Sequence, residues 1–306
     1  MISNDFSLEC RGESLHCISY EPAGEVRAVL CILHGMLEYG ERYSHFAEYL
    51  VKNNIAVVAY DHPGHGRTAK AASELGYIKE ENGSEHMALC AVGVIEKAGE
   101  LYPEKKVFVL GHSMGSFVLR RIMTTHSDIM DGAVVVGTGT PPLPMLRAGR
   151  ALAGLICKLR SGHHPSRLLT NMSFAGYNKG FDKSEGPHAW ISSDREVVKK
   201  YEADPFCSYT FRAAGFKALY DTLIYLAKKT DTDKIRKDLP VLVTAGAADP
   251  VGENGKGPRA YFELCSSSGI KDVTLKLYDG GRHEIINEKN KEEVYRDILS
   301  FITDRV

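Results

Sequence analysis

No run in the 306-residue chain approaches the ~20 apolar residues that a membrane-spanning helix needs. Its first residues, MISNDFSLECRGES, lack a basic segment followed by an apolar stretch, so no export signal is expected. A surplus of one charge is missing too. The 38 Lys and Arg residues face 39 Asp and Glu, a formal net charge of -1, which offers a polyanion little to hold, and no nucleic-acid partner is expected. Seven cysteines are scattered with no C-x-x-C pair and match no zinc spacing. An odd, dispersed set argues against a disulfide framework and fits free thiols in a reducing cytoplasm. No internal repeats or low-complexity tracts occur. GENGKG (252–257) is glycine-rich but lacks the strand–turn–helix setting of a phosphate loop.

What is present is an alternation of apolar runs and helical patterns. With 43% hydrophobic and 25% charged residues, the chain can bury a sizeable core. DFSLEC and SLHCISY flank RGE and read as a hairpin. AVLCILHG (28–35), IAVVAYD (55–61), KVFVLG, GAVVVGTGT (132–140), LPVLVTAG (239–246) and VTLKLYDG (273–280) are the remaining strand candidates. Most are apolar throughout rather than alternating, as strands buried on both faces are. Helical patterns lie between them. In RYSHFAEYLVKNN, Tyr43, Phe46, Leu50 and Val51 share one face. Others cover 84–100, MGSFVLRRIMTTH, and stretches near 258–268 and 291–303. This order predicts an α/β fold: a mostly parallel, doubly wound sheet with helices on both faces. Ligands of such sheets sit beyond the carboxyl ends of the strands. The interruption at 141–208 opens with PPLP and holds several helix patterns. It is too long for a plain connection and is expected to be a helical cap, with 1–140 and 209–306 as the core.

Gly111-His112-Ser113-Met114-Gly115 matches G-x-S-x-G between a strand and a helix. A sharp strand-to-helix turn leaves little room for neighbouring side chains, which explains the glycines. The following helix aims its free N–H groups at the turn, where a developing oxyanion would be stabilised. A serine hydroxyl needs a base. His283, in LYDGGRHEIINE after the last strand, is the candidate; a surface histidine is the competing reading. His112 adjoins the serine and is expected to be structural. An orienting acid should fall between serine and base in chain order. The loop TGTPPLP has no carboxylate, whereas AADPVGENG supplies Asp249, with Glu253 and Asp279 as weaker alternatives. The backbone N–H groups of Met114 and of Met36, in the loop HGMLEYGERY, are the expected oxyanion donors. Asp61, His62 and His65 in DHPGHG invite a metal reading, but the spacing is wrong for zinc, and neither metal nor cofactor is expected.

The residues ILHGMLEYGERY, YDHPGHGRT, GHSMGS, AADPVG and GGRHEIINE together resemble the α/β-hydrolase superfamily, in the branch of monoacylglycerol lipases and bacterial lysophospholipase-like serine hydrolases. The resemblance runs over nearly the whole chain, WISSDREVVKKYEADP included. It implies Ser113 as nucleophile, Asp249 as orienting acid, His283 as base, Met36 and Met114 as oxyanion donors, and a single-chain lipid ester as substrate. Many relatives carry histidine after the glutamate of the HGxxE loop, where this chain has Tyr39. A short-chain carboxylesterase, a thioesterase or a lysophospholipase would use the same residues, and a non-catalytic binding protein would keep the scaffold alone.

Within 145–160, Met145, Leu152, Leu155, Ile156 and Leu159 share one helical face, and Arg147, Arg150 and Lys158 the opposite one. The leucines, the isoleucine and Trp190 are therefore expected to line an acyl pocket. A basic amphipathic helix also suits transient contact with a membrane surface. The expected location is cytoplasmic, with such peripheral contact.

Overall fold

The computed structural model describes residues 2–306, apart from the side chains of residues 229 and 230. Strands β1 (Ile2–Cys10) and β2 (Glu13–Glu21) form the antiparallel hairpin. β3 (Ala28–Leu33) leads through α1 (Ser44–Lys52) to β4 (Ile55–Tyr60). α2 (Gly83–Leu101) returns the chain to β5 (Lys106–His112), followed by α3 (Met114–Met123) and β6 (Gly132–Val136). Next come α4 (Leu143–Arg160), α5 (Arg167–Ser173), α6 (Arg195–Ala203) and α7 (Ala213–Leu226). β7 (Val241–Gly246), α8 (Lys256–Ser267), β8 (Val273–Tyr278) and α9 (Lys291–Thr303) close the chain.

Among the described residues these strands make one sheet, in the order β1-β2-β4-β3-β5-β6-β7-β8. From β4 to β8 every pairing is parallel. The continuous apolar runs are explained by two cores. Alternate side chains point to opposite faces. Val29, Cys31 and Leu33 enter one core with residues of α2, α3 and α8; Ala28, Leu30 and Ile32 enter the other with residues of α1 and α9. The apolar face expected for the first helix holds: Tyr43, Phe46, Leu50 and Val51 are all buried in the second core. Burying each such side chain contributes roughly 1.5–3 kcal/mol.

The order also fixes where a ligand goes. The chain leaves β3 toward β4 on one side, then returns to place β5 on the other. Their carboxyl ends, Leu33 and Gly111, are in register. That reversal is a topological switch point, where the loops diverge and leave a crevice. Residues 34–38 and Ser113 both begin there.

Candidate active site

Ser113 occupies the junction of β5 and α3 with φ 51 and ψ −118, a conformation that costs an L residue strain. The turn is this tight because the backbone has no room to relax. A Cβ on Gly111 would lie 2.4 Å from the Gly115 carbonyl oxygen, and one on Gly115 2.0 Å from that of Leu33. The glycines of the motif are thus set by close backbone packing. Met114 opens α3, so its N–H is one of those with no intrahelical acceptor. Among the described residues the Met36 N–H donates no hydrogen bond either.

The other chemistry arrives from the ends of β7 and β8. The His283 Nδ1–H donates to both oxygens of Asp249, each at 3.0 Å. That contact leaves Nε2 as the free basic nitrogen. Asp249 is fully buried and also accepts from the Val251 N–H at 2.9 Å, while the alternatives Glu253 and Asp279 are exposed. The two loops are held together at Gly246, where a Cβ would stand 2.1 Å from the Gly281 carbonyl oxygen. His283 is further anchored from across the site: its N–H donates to the Trp190 carbonyl at 3.2 Å, and the Glu284 N–H to that of Ile191 at 2.8 Å. No hydrogen bond joins Ser113 to His283 among the described residues, but both line one cavity of about 610 Å³. Catalytic hydrogen bonds are often long until a substrate closes them.

That cavity also takes in Met36, Met114, Trp190, Phe174 and Tyr177. The expectation for the cap helix needs correction. α4 turns Met145, Leu146 and Gly149 to the cavity, and not Leu152, Leu155, Ile156 or Leu159. Leu155 and Leu159 are exposed, at 51% and 69%, and border a separate depression with Ile156; Leu152 packs at the edge of the core. The cause is the α4–α7 contact. Gly149 and Ala153 are buried there, and a Cβ on Gly149 would meet the Tyr220 ring at 2.6 Å. Small residues let two helices approach closely, and a hydrophobic wheel gives them no weight.

Under the site lies a buried charge network that no motif in the sequence announces. Glu38 is 2% exposed. It accepts from the Gly35 N–H, from His112 Nδ1 at 2.7 Å, from Tyr43 at 3.1 Å and from Arg42 at 3.0 Å. Arg42 also forks onto Glu284 at 2.7 and 2.8 Å. Burial raises the Glu38 carboxyl, but the His112 charge and hydrogen bond, with Arg42 and His34, outweigh it and hold the group well below the usual range. Burial lowers the His112 imidazole, but Glu38, Glu284 and the His283 carbonyl outweigh it and raise the group. Both His112 ring nitrogens face acceptors, Glu38 and the His283 carbonyl at 3.3 Å, as an imidazolium requires. The only sequence signal was the glutamate of the HGxxE loop. Tyr39 donates to Asp204 at 2.8 Å and ties that loop to the end of α6.

The DHPGHG residues serve the scaffold. His34 Nδ1 donates to the Gly35 carbonyl at 2.7 Å and its Nε2 accepts from the His62 N–H at 2.9 Å. Asp61 accepts from the N–H groups of Gly40 at 2.8 Å and Arg67 at 2.7 Å. His65 is fully buried, and burial pushes its imidazole down to about 3.

The family described as "Serine aminopeptidase, S33" matches residues 24–290. The chain belongs to this α/β-hydrolase family. It is 26% identical over 298 residues to the monoglyceride lipase of Rattus norvegicus, covering 96% of this chain and 88% of that one. It is 27% identical to the monoacylglycerol lipase of Mycolicibacterium smegmatis, covering 94% and 92%. In structure it resembles a thermostable carboxyl esterase from Bacillus coagulans, with a TM-score of 0.91, 25% identity, and 100% and 99% of the two chains covered. The fold expectation, a doubly wound α/β-hydrolase sheet, holds, and the protein is a serine ester hydrolase. Among the described residues no helix is long and apolar enough to cross a membrane.

Proposed function

We propose that this hydrolase cleaves carboxylic esters of single-chain lipids, monoacylglycerols foremost, through an acyl-enzyme. The supporting observation is the shared cavity: Ser113 on its strained turn and the Asp249-oriented His283 face one apolar chamber of about 610 Å³. Ser113 Oγ attacks the ester carbonyl, and His283 Nε2 takes its proton and returns it to the leaving alcohol. The N–H groups of Met36 and Met114 receive the oxyanion. Water, deprotonated by the same imidazole, then releases the acid. Residues 141–208 act as a cap over the acyl chain, contributing Phe174, Tyr177 and Trp190 to its walls. The relatives named lipases support the lipid class.

The test is a panel of glyceryl esters, lysophospholipids, acyl thioesters and nitrophenyl esters of graded chain length. The expected result is a kcat/KM maximum at monoacylglycerols with medium or long chains. A maximum at acetyl or butyryl esters would replace the lipase reading with a short-chain esterase.

The exposed leucines favour a second element: contact with a lipid surface through α4 and α5. Leu155, Leu159 and Leu168 are all more than half exposed, beside the exposed basic residues Lys158, Arg160 and Arg167. Apolar side chains among cations suit an anionic interface. Replacing Leu155 and Leu159 together by serine should weaken co-sedimentation with anionic vesicles roughly tenfold or more. Unchanged binding would remove this face from consideration.

A further inference from the structure

Arg120, on α3, is a buried cation with no carboxylate beside it among the described residues. Its guanidinium donates to Thr138 Oγ1 and to the Gly139 carbonyl, each at 2.9 Å, and lies 4.0 Å over the Tyr261 ring. Among the described residues its Nε–H has no acceptor. Two half-buried arginines show the contrast: Arg42 forks onto Glu284, and Arg282 meets Glu185 at 2.8 Å. An arginine left with neutral acceptors and one aromatic face is short of counter-charge, and its planar fork is shaped for a carboxylate.

Arg120 also forms part of the wall of a second cavity, of about 610 Å³, framed by α3, α4, α7 and α8. Leu143, Leu146, Leu223, Leu226 and Leu264 make most of its surface apolar, and its acidic lining residue, Glu263, is exposed. Pro141, Leu146 and Leu223 form a partition shared with the catalytic cavity.

We infer that this second cavity is a binding site for a fatty-acid carboxylate, its head beside Arg120 and its chain along the leucines. A small anion would meet the charge and leave the leucines uncovered. A neutral lipid would cover the leucines and leave the cation unmatched. Only an apolar chain ending in an anion answers both. Such an acid is also what ester cleavage releases under the proposed function, but its binding here needs no turnover and does not depend on Ser113.

Calorimetric titration of the intact protein with dodecanoate, and separately with dodecanol, tests this. Both compounds can enter the catalytic cavity, so the comparison with variants decides. Arg120→Met removes the charge and keeps much of the bulk. Ala260→Phe fills the exposed mouth of the cavity from α8 without touching Arg120. Dodecanoate should show a site in the wild type that both variants weaken roughly tenfold or more, while the dodecanol isotherms stay unchanged. Dodecanoate isotherms identical in the wild type and Ala260→Phe would overturn the site, and so would an equal loss of dodecanol binding. Should Arg120→Met fail to fold, Ala260→Phe decides alone. Ester turnover of that variant, measured alongside, separates failure here from failure of the catalytic reading.

Discussion

Replacing Ser113 by alanine is expected to cut ester turnover by on the order of a thousandfold or more and to abolish covalent labelling by a fluorophosphonate. The fold should survive, because the hydroxyl faces a cavity rather than a packed core. Glycine at the same position sharpens the prediction. Ser113 is held at φ 51 by the backbone packed around Gly111 and Gly115, and glycine adopts positive φ without that strain. Ser113→Gly should therefore be as inactive as Ser113→Ala yet more stable than the wild type by about 1 kcal/mol, read as a rise in denaturant midpoint at constant slope. A residue that destabilises its own fold and is kept for chemistry is the signature of a functional position. Retained labelling in either variant would refute the nucleophile. A Ser113→Gly protein less stable than the wild type would refute the strain.

The middle of the sheet was legible because its strands are buried on both faces. AVLCIL and IAVVAY carry no charged residue and are buried throughout, as strands covered by helices on both sides are. The position of Ser113 followed from a local rule, a serine between glycines where a strand becomes a helix. Asp249 and His283 were found by chain order and loop position, and the structure joins them. Two things were not legible. The orientation of α4 depends on which neighbour it meets, and Gly149 and Ala153, which decide it, look like the least informative residues on the wheel. The Glu38 network depends on contacts between residues far apart in the chain, such as Glu38 with His112 and Arg42 with Glu284, which no spacing rule anticipates. The same holds for Tyr39, whose partner, Asp204, lies 165 residues away.

Glu38→Gln should be the most damaging conservative change away from the reacting atoms. It removes the negative charge between His112 and Arg42 while keeping the size of the side chain, leaving buried cations short of their counter-charge. Breaking a buried pair of this kind costs about 3–5 kcal/mol. Turnover should fall as well, since the unmatched Arg42 and His112 charges disturb the loop that carries Met36, the proposed oxyanion donor, whose neighbour Gly35 donates its N–H to Glu38. The pH dependence identifies the cause. Glu38 is held below its ordinary range, so its contribution is present above the unfolded carboxylate value of about 4.3 and fades as pH falls through the lower folded value. His112 is raised, so its contribution is complete below the unfolded imidazole value of about 6.5 and fades as pH rises through the higher folded value. Arg42 keeps its charge throughout, so part of the deficit persists at every pH. The stability gap between wild type and Glu38→Gln should therefore be widest between about pH 5 and 6.5 and narrow, without closing, toward pH 9. Chemical denaturation at a series of pH values measures it. A gap that stays level across that range would mean that His112 is neutral in the folded protein and that Glu38 acts through Arg42 alone.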